Sequence, residues 1–340
     1  VSRSPNGMYS LFQCGRFGHG DSPHSHADML HLDISVGTDN FIIDPGTCVY
    51  TADRDKRNRY RSAAVHNGPT ITGLRLENPR DPFGWLQVPD CRVMSYHRTE
   101  KSEFYRAGYE ATMDRQIAMV SRSVLFIHDM LWIVCDSVVT ATPCQSQWNF
   151  ITPCSAVIRK DNVCLMQGGA GGLAFIPSIA PDEIGTITVE PFDYSDDYLS
   201  TRTGQRVTIT GQASGSGGAL FILQPFQKEA ELPEQISVLQ HQGNMVVKSV
   251  LGGTTMLVSR GGVMHSELDT DADFAFLRIS DQTVDRAVIV NGSRIAYQSR
   301  ELVRLSRAAG YVDIIKDKGE YRINVADAEE LTMLVPKGRS

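Results

Sequence analysis

Five of the nine histidines fall within the first 66 residues: His19, His24, His26, His31 and His66. In His24-Ser25-His26-Ala27-Asp28 two imidazoles stand two residues apart, so an extended backbone projects both to one side. Asp44 follows His26 by 18 residues and His66 follows Asp44 by 22. His26, Asp44 and His66 together offer two imidazoles and a carboxylate, a donor set that suits zinc better than calcium or magnesium. They leave one coordination position for water or another group. His24, two residues from a proposed ligand, is free for proton chemistry. Each residue alone has a plainer reading: a single His is usually a surface or core residue, and Asp44 before Pro45-Gly46 is an ordinary turn residue. Asp28 and His31 can orient ligands from behind or serve the local loop. The joint occurrence carries the metal reading.

The elements that must position these residues are strands. Leu30, Leu32, Ile34 and Val36 alternate with His31, Asp33 and Ser35, and Gly37-Thr38-Asp39-Asn40 turns the chain into Phe41-Ile42-Ile43-Asp44. A tight turn at Thr38-Asp39 pairs Val36 with Phe41 and Asp33 with Asp44. On a straight strand His26 then lies roughly 20 Å from Asp44. A shared metal therefore requires a bend between Asp28 and His31. Arg122 to Ile127, a His128-Asp129-Met130 turn and Leu131 to Val139 read as an apolar hairpin. Further strands are expected at Ala219–Leu223, Met245–Val250 and Thr255–Val258. Ala287–Val290 is followed by Asn291-Gly292, a strong hairpin signal. Thr51 to Ser62 is charged and suits a short helix or an irregular loop, with Arg57, Arg59 and Arg61 on a solvated face. Gln212 to Gly218 reads as a loop.

Many short strands, with 29 glycines as punctuation, predict an all-β chain: a large two-sheet antiparallel β-sandwich over residues 1–265 and a small C-terminal β domain over 266–340. The pattern pauses at residues 262–272, which sets that boundary. A chain of 340 residues can bury a large core. Its net charge of −6 argues against nucleic-acid binding by a global positive potential, while permitting a local basic groove. No apolar run is long enough for a membrane-spanning helix. The seven cysteines lack any Cys-x-x-Cys pair and read as buried thiols, with a Cys144–Cys154 bridge between neighbouring strands as the alternative. The chain opens on Val1 straight into a structured pattern, which suits a piece of a longer protein.

Residues 15–73 resemble the C-terminal β domain of the heparinase II/III-like polysaccharide lyases. The motifs are His24-Ser25-His26-Ala27-Asp28, Asp44-Pro45-Gly46-Thr47-Cys48-Val49-Tyr50 and Tyr60-Arg61-Ser62-Ala63-Ala64-Val65-His66-Asn67. Their order and spacing follow the family pattern, and Arg122 to Val139 is similar in strand rhythm. The resemblance implies a supersandwich-like β domain preceded in the parent chain by an (α/α) toroid, which these residues do not contain. The resemblance also implies an acidic polysaccharide of glycosaminoglycan, alginate or exopolysaccharide type lying between the two. It further implies zinc at His26, Asp44 and His66, catalytic roles for His24 and Tyr60, and export to the periplasm or outside the cell. Cleavage is then β-elimination at a uronic acid, with the metal structural and Arg57, Arg59 and Arg61, helped by Arg75 and Arg80, attracting the polymer. The rival readings are a non-catalytic carbohydrate-binding or structural β domain that keeps a metal for stability, and a metal-dependent hydrolase with Asp28 or His31 as its base.

Overall fold

A computed structural model of the chain describes residues 1–16, 22–71, 78–87, 90–113, 116–141, 144–155, 157–160, 163–179, 185–213, 216–228, 231–241 and 244–326. The expected all-β architecture is what forms. The chain divides into two compact units, Val1–Gln227 and Lys228–Ser340.

In the first unit an eight-stranded antiparallel sheet runs in the order Val157–Lys160, Val163–Gln167, Gly172–Ile179, Ser216–Phe226, Leu131–Thr140, Gln116–Ile127, Ser102–Met113, Arg92–Arg98. Two four-stranded sheets pack on it. One is built from Ser2–Arg3, Met8–Phe12, Leu32–Val36 and Asp39–Ile42; the other from Ile187–Asp197, Ser200–Ala213, Cys144–Thr152 and Thr70–Ile71. Their shared core takes Ile34 and Phe41 from the first small sheet and Trp148 and Val207 from the second. Phe126, Trp132 and Val134 come from the large one. Phe126 and Trp132 are cross-strand partners whose rings stack at 5.1 Å, and the Trp132 indole donates to Ser10 Oγ at 3.1 Å. Such pairs are the local unit of sheet stabilisation.

Several sequence expectations change. The turn after Leu32–Val36 sits at Gly37-Thr38, not Thr38-Asp39: Val36 pairs with Asp39, and a register shift lies between Ile34 and Ser35. Gly37 takes φ +59°, which glycine adopts without steric cost. The Gln212–Gly218 stretch is mostly strand, ending one at Ala213 and opening the next at Ser216; residues 214–215 lie outside the described set. Asn291-Gly292 makes no hairpin. The strand Thr283–Tyr297 runs through it, with Asn291 at φ 51° and a register shift at Gly292, because a left-handed residue can make a bulge as readily as a turn. All seven cysteines are free, Cys144 opening the strand Cys144–Thr152 and Cys154 lying just beyond its end.

The second unit is one antiparallel sheet around its own core of Leu257, Leu277, Ile289 and Val312. It begins before residue 266, because Gln235–His241, Asn244–Leu251 and Thr254–Arg260 pair in series into Phe274–Ser280. The pause at 262–272 is an irregular excursion of this sheet, holding the short strands Val263–Met264 and Leu268–Thr270, and not a linker.

Candidate functional site

The bend required between Asp28 and His31 is present. Leu30 adopts φ 64°, the His31 amide donates back to the Asp28 carbonyl at 3.0 Å, and Leu30 N donates to the Gln13 carbonyl at 2.8 Å. The bend brings His26 to Asp44 and His66, and one ligand atom from each lies within 4.8 Å of the others. Ala27, Met29, Leu30 and Ala63 pack onto Ala107, Tyr109, Val120 and Val138 of the large sheet, which seats these loops.

Three further contacts fix the loops. The Trp85 indole donates to the Ser25 carbonyl at 3.2 Å, and Ala27 N donates to the Arg61 carbonyl at 2.8 Å. Asp44 Oδ1 accepts from Gly46 N at 2.7 Å. Asp44 N donates to Asp33 Oδ1 at 2.8 Å, and the same oxygen lies 3.0 Å from His31 Nε2. Asn67 N donates to His31 Nδ1 at 3.2 Å, so the His31 proton sits on Nε2 and both ring nitrogens are committed. His31 therefore braces Asp33 and Asp44 from behind, and the hydrolase reading loses it as a base. Asp28 lines the pocket, and burial pushes its carboxyl up against the pull of His66 and His31.

His66 is buried, and its Nδ1 lies 2.8 Å from the Ser62 carbonyl, which can only accept. The Nδ1 proton is therefore fixed, and Nε2 faces Asp44 Oδ2 at 3.0 Å without hydrogen-bond geometry. Burial alone would lower the pKa of His66, but the Asp44 carboxylate outweighs it and the net shift is upward. Asp44 is held well below the usual carboxylate range: burial raises it, and His66 and the other two imidazoles overcome that. Two donor atoms bound to one tetrahedral zinc stand roughly 3.3 Å apart, and a lone pair facing a carboxylate oxygen needs a cation or a proton between them. The residues fit a divalent metal. His26 stays neutral, its pKa pushed down to about 3 by burial and by His66, with Arg57 adding to this. Its Nε2 accepts from Arg57 Nη1 at 3.1 Å, so a metal held by this ring would have to displace that donor or bind at Nδ1 in place of its proton.

Arg57, Arg59 and Arg61 do not form a solvated face. Asp53 caps the helix Arg54–Tyr60 by accepting from Lys56 N, and Arg57 and Arg61, four residues apart, share its inward side. Both are fully buried, while Arg59 is exposed beside the Phe192 ring. Arg57 reaches the Pro82 carbonyl at 3.3 Å and lies over the Tyr50 ring. Arg61 stacks on Trp85 at 4.2 Å and donates to Asn58 and to the Asp81 carbonyl. Burial lowers both pKa values, that of Arg61 to about 10 with Arg57 contributing. Arg80 pairs with its neighbour Asp81, and Arg75 lies outside the described residues.

His24 is exposed, edge-on to Tyr50 at 5.8 Å and to Phe83 at 6.1 Å. Tyr60 is elsewhere: it packs with Cys48 and Val49, and its hydroxyl donates to the Asp193 carbonyl at 2.9 Å. The tyrosine beside His24 is Tyr50, six residues after Asp44. Tyr50 also stacks with Tyr198 at 5.8 Å. A polar pocket of about 280 Å³ opens here, lined by Gln13, Arg16, His24, His26, Asp28 and Thr47.

The sequence model of the family described as "Heparinase II/III-like, C-terminal" matches residues 2–239. Among solved structures, a heparan sulfate lyase HepC mutant from Pedobacter heparinus is similar, with TM-score 0.60 and 16% identity over 74% of this chain and 39% of that one. A heparinase III, the BT4657 gene product, gives TM-score 0.59 and 13% identity over 76% of this chain and 42% of its own. At these identities the likeness concerns the fold, and the chain spans about two fifths of the proteins it matches. No curated protein sequence is similar enough to count as a match.

Proposed function

Because the chain belongs to the heparinase II/III-like C-terminal family, we propose that it is the β-sandwich half of a polysaccharide lyase cleaving a uronic-acid-containing polymer by β-elimination. In that reaction a base removes the weakly acidic proton at C5 of the uronic acid, and an acid protonates the oxygen leaving C4. The observation that carries the reading is the exposed His24 ring beside Tyr50, on the same pocket as His26. His24 and Tyr50 are the groups we assign to proton transfer. The Tyr60 ring packs on Cys48 and Val49 of the Asp44–Tyr50 loop and its hydroxyl donates to the Asp193 carbonyl, so we assign it to holding that loop instead.

Elimination also requires that the sugar carboxylate be neutralised. Arg57 and Arg61 are fixed cations behind the pocket wall, and Arg16 lies on its rim. Their potential acts in a poorly screened region and favours an anionic sugar. Zinc held by His26, Asp44 and His66 supplies a fixed positive centre that ties together the segments carrying the pocket. The parent chain contributes an (α/α) toroid as the opposite wall, and it works in the periplasm or outside the cell, where such polymers are met.

The test is to incubate the parent protein with hyaluronan, heparan sulfate, alginate and polygalacturonate and follow ultraviolet absorbance of the unsaturated product. Appearance of that absorbance, abolished by His24→Ala, supports the reading. Saccharide binding with no unsaturated product would establish the non-catalytic carbohydrate-binding reading, and saturated new ends the hydrolase.

A further inference from the structure

Arg122 and Asp136 stand directly opposite each other on the Gln116–Ile127 and Leu131–Thr140 strands, at inward-facing positions between Val120 and Val124 and between Val134 and Val138. Both are completely buried. A guanidinium has five N–H bonds, and Arg122 uses all of them. Nε and Nη2 grip the Asp136 carboxylate at 2.7 and 2.6 Å. Nη1 donates to the Leu30 carbonyl and to Asn67 Oδ1, each at 2.8 Å, and Nη2 donates to the Asn67 carbonyl at 2.7 Å.

The recipients are informative. Leu30 is the positive-φ residue of the bend that carries His26 toward the site. Asn67 follows His66. The Asn67 amide group also clips Leu32 from both sides, accepting from its N at 2.9 Å and donating to its carbonyl at 2.8 Å. One buried fork therefore holds the His24–Asp33 arm and the His66 arm at a fixed separation. A buried ion pair adds little net stability over an apolar pair of similar volume, so packing alone gives no reason for a charge here. The planar, bidentate fork fixes direction as well as distance, which a lysine ammonium does not.

We propose that Arg122 and Asp136 are the positioning pair of the metal site, setting the spacing at which His26, Asp44 and His66 can share one ion. The proposal rests on the metal-site reading above and adds residues that touch neither metal nor sugar.

The test compares zinc affinity by competition titration, the visible absorption of the cobalt-substituted chain, and thermal unfolding. The variants are Arg122→Lys, the apolar pair Arg122→Met with Asp136→Leu, and Phe126→Leu. Phe126→Leu lowers stability from the same core without touching the fork. The expected result is a loss of about 10- to 100-fold in zinc affinity for the first two, in line with removal of groups that orient ligands. A changed cobalt spectrum should accompany it, while Phe126→Leu keeps wild-type affinity. Wild-type affinity and spectrum in a folded apolar variant, or in Arg122→Lys should the apolar pair not fold, would overturn the proposal. A wild-type chain that takes up no metal defeats the metal-site reading instead. Hydrogen-exchange protection of the Leu32 and Asn67 amides then still decides the positioning role: selective loss in Arg122→Lys supports it, and unchanged protection refutes it.

Discussion

His66 Nε2 stands 3.0 Å from Asp44 Oδ2 while Nδ1 of the same ring is committed to the Ser62 carbonyl. Without a metal the ring must carry a second proton to face that carboxylate, which is why its pKa is raised despite complete burial. A raised folded-state pKa contributes stability that is full below the unfolded value near 6.5 and is lost as pH rises through the folded value. A zinc ion bound at this site would replace that proton. We therefore expect the metal-free chain to lose stability as pH rises above 6.5, and the zinc-loaded chain to gain it. Zinc affinity should rise by roughly tenfold per pH unit below the folded pKa. Unfolding midpoints across pH, with chelator and with zinc, check this; parallel curves would remove the proton–metal exchange.

The two tyrosines of the motif region should separate cleanly. Tyr50→Phe removes a hydroxyl from a ring beside His24 and should abolish most turnover of the parent protein with little change in stability. Tyr60→Phe removes the hydroxyl that donates to the Asp193 carbonyl and should cost about 1 kcal/mol of stability while turnover of the folded enzyme persists. Turnover and unfolding measured on both variants decide it. The opposite pattern would return the proton-transfer role to Tyr60.

How far the sequence speaks depends on which force acts at each residue. Alternation marks the strand around Leu32, because burial of one face imposes a period of two, while continuous apolar runs mark those around Val124 and Leu131, which are buried on both faces. The need for a bend between Asp28 and His31 also followed from strand geometry, and Leu30 supplies it. Arg57 and Arg61 look solvated in the sequence because their charge is more conspicuous than their spacing, yet both are buried. Their spacing of four puts both on one helix face, and that face meets Trp85 and Tyr50. Arg122 and Asp136 lie in runs otherwise read as plain apolar strand, and nothing local shows that Asn67 and Leu30 will arrive as their partners. The pause at residues 262–272 does not mark the division between the units, since a break in alternation marks an excursion from a sheet as well as a linker.

Gly46 has φ +78°, and an added Cβ would lie 1.8 Å from the Ser195 carbonyl oxygen. The nearby Pro45 carbonyl accepts from Ser195 N at 2.8 Å, so the hairpin cannot retreat without losing a bond that holds the Asp44 loop. Gly46→Ala combines a strained conformation with a backbone clash and should destabilise the chain by more than about 2 kcal/mol. Its zinc affinity should fall as Asp44 moves. Denaturant unfolding and metal titration test both effects, and a wild-type midpoint would show that this close approach is absent in solution.

Glu103 is a second carboxylate of the first unit, besides Asp44, whose pKa is held down in the fold. It is buried, and it accepts from Ser2 Oγ at 2.9 Å and from the Tyr105 hydroxyl. Its other oxygen lies 3.2 Å from His128 Nε2, whose ring is held at Nδ1 by the Glu100 carbonyl at 3.1 Å. Burial raises the carboxyl, but bonds from His128, Tyr105 and Ser2 outweigh it and bring the pKa down to about 2. A depressed folded-state pKa contributes stability that is present above the unfolded value, near 4.5, and lost as pH falls through about 2. Glu103→Gln cannot bear the charge and replaces the carboxylate oxygen that faces His128 Nε2. It should cost about 1–3 kcal/mol at neutral pH and flatten the fall in stability between pH 4.5 and 2. Unfolding free energies of both proteins across that interval test the assignment, and an equally steep fall in the variant would place the acid sensitivity on another carboxylate.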